Sequence, residues 1–129
     1  MNINKYNISG DQKISFNINI QYIIEHIENN LAVIEKLKNK IYFEMSKEQI
    51  IITFKQILAV VKKWQQYFIN EDIKYIQKEY KEVESEISEL DLCLSDYDDI
   101  FHCDGISYSL SEIGNLIIKI VKESEENVR

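Results

Sequence analysis

Proline is absent from this 129-residue chain, and glycine occurs only three times. These are the residues that most readily interrupt helices, so their scarcity favours long unbroken ones. Arginine occurs once, as Arg129 at the very end, which leaves no internal guanidinium to clamp a phosphate or carboxylate. No glycine-rich loop could cradle a phosphate. No apolar run approaches the roughly 20 residues of a membrane span, and "MNINKYNISG" lacks the apolar centre of a signal peptide. The expected location is therefore the cytoplasm, without membrane contact. Cysteine occurs twice, and free thiols are the simplest state in that compartment. A Cys93–Cys103 disulfide stays open for an oxidising one, because spacing alone cannot establish the pairing geometry. Most telling is what one stretch lacks: residues 82–118 contain neither lysine nor arginine.

What is present reads as an all-α protein, with 45% hydrophobic and 29% charged residues in a single domain spanning 1–129. Ile20, Ile23, Ile24, Ile27, Leu31, Ile34, Leu37 and Ile41 recur at three- and four-residue steps and place a first helix at about 19–43. "MSKEQI" opens a second at about 47–69, with Ser46 as cap, Gln49 reaching back to it, and Met45 and Ile50 spaced to staple across. Its apolar arc, from Ile50 to Phe68, covers half the circumference and predicts the most buried helix. The third, at about 71–94, has Asn70 as cap and acids in its first turn. Ile73, Ile76, Tyr80, Val83, Ile87, Leu90 and Leu94 give it a heptad seam suited to an antiparallel bundle or a coiled-coil contact. A loop is expected over 95–108. "SLSE", with Ser109 and Glu112 as a second capping box, then opens a fourth helix at about 110–125. Residues 1–18 fit two forms, an extended arm or a short β-hairpin with "SGDQ" as its turn and "KISFNI" alternating in strand period.

Residues 93–105, "CLSDYDDIFHCDG", gather two cysteines, a histidine and four aspartates. Counted from Asp96, this stretch fails as a calcium loop, since Ile100 and Phe101 occupy positions that require an oxygen ligand and a glycine. Cys93, His102 and Cys103 offer three zinc ligands at most, two of them adjacent. The carboxylates around both thiols disfavour the thiolate, which argues against a nucleophile. His26 has Ile23 three residues before it, so the Glu-x-x-His pattern of di-iron bundles is missing. No catalytic residue, metal or cofactor is assigned.

Charge is unevenly spread. Residues 1–81 carry twelve lysines against nine acids, whereas 82–118 carry ten acids and no base. Glu79, Glu82, Glu86 and Glu89 form a stripe beside the third helix's seam, and Asp96, Asp98, Asp99 and Asp104 continue it into the loop. Like charges at this spacing each cost about 0.2–0.5 kcal/mol of helix stability. A solvated face mixes signs more evenly, so the segment reads as a docking face for a basic partner, with Tyr97 and Phe101 as aromatic anchors. Direct nucleic-acid binding is disfavoured, because phosphate would be repelled.

In size, acidity, helix pattern and the segment "EVESEISELDLCLSDYDDIFHCDG", the chain resembles the small acidic helical immunity proteins that bacteria make against nuclease toxins, including those of contact-dependent inhibition. The resemblance implies a cytosolic inhibitor that binds a cognate basic toxin, without chemistry of its own. Two alternatives stay open. One is a helical oligomer or adaptor, including a homodimer, using the heptad seam of the third helix. The other is a metal-dependent enzyme built on His102 and the neighbouring acids.

Overall fold

The structure is a computed structural model that describes residues 6–37 and 45–127. Its principal elements are α1 (Gly10–Lys36), α2 (Lys47–Ile69), α3 (Ile73–Cys93), the short α4 (Asp98–Phe101) and α5 (Cys103–Asn127). The four long helices pack in a ring, α1 on α2, α2 on α3, α3 on α5 and α5 on α1, so each has two neighbours around one core. The all-α, bundle-like reading holds, and no strand occurs among the described residues. No helix among them is long and apolar enough to cross a membrane.

The N-terminal expectation is corrected. α1 starts at Gly10, and "SGDQ" is a capping box, not a hairpin turn. The Gln12 backbone N–H donates to Ser9 Oγ at 3.1 Å, while the Ser9 N–H donates to the Gln12 side chain at 2.9 Å. The cap recovers donors that a helix start would leave unpaired. It also lets Phe16 join the core, where its ring stacks on Phe68 at 3.8 Å. At the other end α1 stops at Lys36, and the expected continuation over 38–43, including Ile41, lies outside the described residues.

α2 begins where the cap signal places it. The Gln49 N–H donates to Ser46 Oγ at 3.1 Å, but the return half of the box is not made, because the Gln49 side chain turns to Thr53 Oγ1. Ile50, Phe54, Ile57, Val61, Trp64 and Phe68 are buried along its inner face.

Asn70 does not cap α3. It closes α2 instead, its N–H donating to the Gln66 carbonyl. Glu71 then takes a left-handed conformation (φ 58°) that turns the chain, and Asp72 precedes α3 without a side-chain cap bond. The acids expected in the first turn therefore stand before the helix. All seam positions except the half-buried Tyr80 are buried in the bundle. The seam is packed against the other helices of the same chain.

The expected loop over 95–108 is mostly helical. A 3-10 turn, Ser95–Tyr97, leads into α4, and His102 in a left-handed conformation (φ 48°, ψ 38°) breaks the chain before α5. α5 starts seven residues earlier than "SLSE" suggests, and Ser109 is buried within it instead of capping it. Cys103, Ile106, Leu110, Ile113, Ile117 and Ile120 are all buried. They step 3-4-3-4-3, so the extra turns continue one apolar face that α1 and α3 require for their full length. Gly114 serves a close approach: a Cβ there would meet the Tyr80 ring at 2.6 Å, where the Tyr80 hydroxyl donates to the Leu110 carbonyl at 2.9 Å.

Candidate interaction surface

α3 turns its inner face to the core, so the stripe beside the seam falls on its flank and outer side. The four glutamates fare differently. Glu79 is half-buried and accepts a hydrogen bond from the Trp64 indole at 3.2 Å, satisfying a donor that would otherwise be stranded in the core. Glu82 and Glu89 are exposed, and Glu86 lies between them, partly covered. Burial first, and then the charges of Glu82 and Glu89, push the Glu86 carboxyl above the usual carboxylate range. The stripe is electrostatically uncompensated along its own length.

Beyond α3, folding brings together acids that are distant in the chain. Asp91 is raised by burial and then by Asp98 and Asp104, one group each from the end of α3, from α4 and from the start of α5. Asp98 is half-buried with one carboxylate oxygen, Oδ1, lacking a hydrogen-bond partner. Asp104 is exposed, and its Oδ1 accepts the Gly105 N–H at 2.8 Å. Asp96 and Asp99 are exposed on the 3-10 turn and α4.

The aromatic anchors divide. Tyr97 is half-buried against the core, and Phe101 is 0% exposed. Phe101 pins α4 to the bundle and is unavailable as a surface anchor. The exposed apolar groups of the same region are Leu92 (75%), Ile100 (42%) and Tyr108 (67%). Sequence pattern does not single out Leu92 or Ile100 as surface groups. The one signal for Leu92 is its position off the seam, two residues from both Leu90 and Leu94.

The cysteine neighbourhood is acidic, as its sequence suggests. The Cys103 thiol is pushed up to about 12, first by burial and then by Asp91, Asp98, Asp104 and Cys93. A thiol so disfavoured as thiolate is a poor nucleophile at neutral pH. The two histidines meet across the bundle. His26 shares a 2.9 Å hydrogen bond between its Nδ1 and the Tyr22 carbonyl and stacks on the Tyr22 ring, and His102 lies edge-on to it at 6.2 Å between ring centroids. Among the described residues no group of three or more His, Cys, Asp or Glu side chains is placed to hold a metal ion.

The arrangement is thus an exposed acidic surface with separate apolar points, running from the outer side of α3 over α4 to the first turns of α5. No protein-family model, curated protein or solved structure matches the chain.

Proposed function

We propose that the chain is an immunity-type inhibitor that neutralises a basic protein toxin, a nuclease, by covering its substrate-binding surface. The observation that carries this reading is the pairing of exposed acids (Glu82, Glu89, Asp96, Asp99 and Asp104) with exposed apolar side chains (Leu92, Ile100 and Tyr108) along a segment without a basic residue. A nuclease must present a cationic cleft to bind phosphate, and a negative surface accelerates encounter with such a cleft and rejects acidic competitors. The apolar points supply the desolvated contacts that slow dissociation.

Neutralisation of activity is the direct test. Titrated into a basic nuclease toxin from its own source cells, the wild-type chain abolishes cleavage at equimolar ratio. The Asp96/Asp99/Asp104→Asn variant requires excess and associates more slowly, most visibly at low salt. Inhibition by the variant that matches wild type in rate and stoichiometry would remove these residues from the proposed interface. A wild-type chain that leaves every such nuclease active would remove the function itself.

A further inference from the structure

Beside the corner between α2 and α3 lies a hollow of about 460 Å³, a size typical of small-molecule sites. Tyr6 lines it from the segment before α1, Glu71 and Asp72 from the turn, and Lys74, Tyr75 and Lys78 from the start of α3. Two cations, two carboxylates and two phenol rings thus surround one space. Among the described residues none of these four charges makes an ion pair, which leaves each open to a ligand. We propose that this hollow binds a free aromatic α-amino acid in its zwitterionic form.

The chemistry of the lining selects that class. Lys74 and Lys78 stand one turn apart on the same side of α3, and together they supply donors for a carboxylate. Glu71 and Asp72 supply acceptors for an α-ammonium group, and Tyr6 and Tyr75 offer ring faces on which an aromatic side chain stacks. The formal charges of the lining cancel, so a zwitterion leaves none of them unmet. A phosphate would satisfy the lysines but face two carboxylates, and a simple amine would face two ammonium groups. An aliphatic amino acid would leave the rings unused. The hollow is also built before binding. Ile73 is 0% exposed and ties the start of α3 to the core, while the Tyr75 ring stacks on Tyr67 at 5.1 Å. Tyr6 is half-buried against the core. Groups held in place beforehand lose little freedom when a ligand arrives. The lysines are exposed and the acids half-buried, so each charge contact is modest and the affinity falls in the millimolar to high-micromolar range. The hollow lies at the start of α3, and the acids of the proposed toxin-binding surface begin further along, at Glu82. The inference therefore stands apart from that reading.

Amide NMR of the whole chain, titrated with L-phenylalanine to millimolar concentrations, tests the site. Saturable shifts are expected at Tyr6, Glu71, Asp72, Lys74, Tyr75 and Lys78. Two analogues separate the charges: hydrocinnamate lacks the ammonium group, and phenethylamine lacks the carboxylate. Each is expected to bind roughly fivefold more weakly, from the loss of two modest charge contacts. Lys74→Gln/Lys78→Gln should weaken L-phenylalanine by a similar factor and spare phenethylamine. Glu71→Gln/Asp72→Asn should weaken L-phenylalanine and spare hydrocinnamate. Helical circular dichroism confirms that both variants are folded, and the analogue series on wild type needs neither of them. Absence of saturable shifts at these residues with L-phenylalanine would overturn the proposal. So would analogues that bind wild type as tightly as L-phenylalanine, or folded variants that bind it like wild type.

Discussion

Single buried groups set the sharpest expectations. Cys103 and Tyr80 are both pushed up to about 12, Cys103 chiefly by burial and Tyr80 by burial and then Glu84. Each therefore keeps its proton in the folded chain at pH values where the unfolded chain has lost it. Their contribution to stability is fully present below the ordinary values of 9.0 and 10.0 and is lost as pH rises toward 12. Urea midpoints should fall progressively from pH 9 upward, and Tyr80→Phe should flatten part of that fall. A midpoint unchanged to pH 11 would contradict the burial of both groups. In native protein at pH 8 a thiol reagent should modify half-buried Cys93 first, and Cys103 only on unfolding. Gly114 lies against Tyr80, so Gly114→Ala must displace that ring and its bond to the Leu110 carbonyl, destabilising by about 1–3 kcal/mol in urea unfolding. Asn30 is buried with its amide Nδ2 lacking a hydrogen-bond partner, and Asn30→Leu should stabilise by about 1 kcal/mol.

Elements differ in how plainly their residues announce them. α2 is legible to the residue at its start, because Ser46 and Gln49 have one good use. "SGDQ" has two, since serine, glycine and aspartate suit a turn, while Ser-x-x-Gln suits a helix cap. The choice depends on whether Phe16 finds a ring to pack on, and Phe68 lies 52 positions away. Sequence places the start of α5 too late because Asp104, Gly105 and Ser107 look like loop punctuation. What overrides them is the tertiary need to cover α1 and α3 over their full length, a need no local window contains. The acids of the candidate surface are found by counting charges. Glu79's capture by Trp64, the burial of Phe101 and the exposure of Leu92 and Ile100 are not, since each depends on which face of a helix meets its neighbour. On α3 the crowding of Glu82, Glu86 and Glu89 has a measurable consequence. Glu86 is raised in the folded state, so its contribution is favourable below the ordinary carboxylate value and is lost as pH rises through its folded value. Taken alone, Glu86 therefore makes the fold more stable on the acid side of its titration than at neutral pH. Glu86→Gln should raise the pH 7 melting temperature and shrink that difference, by the few tenths of a kcal/mol typical of like-charge helix pairs. Equal melting of variant and wild type at pH 7 would mean that the stripe is fully screened.

For the whole molecule, the decisive feature is that one segment carries more negative charge than the chain's net −7. The rest of the bundle, with its mixed lysines and acids, is an ordinary solvated scaffold. The segment from Glu82 to Tyr108 concentrates a field that costs helix stability and has no internal counter-charge. In the proposed complex, a basic toxin supplies that counter-charge. The most direct measurement is affinity capture from lysate of the source cells, at low and moderate salt, with wild type beside the Asp96/Asp99/Asp104→Asn variant. Wild type is expected to retain a basic, nuclease-bearing protein at low salt and to release it as salt rises, while the variant fails to retain it. Capture of the same proteins by both chains, or of no basic protein by wild type, would contradict the toxin-binding reading.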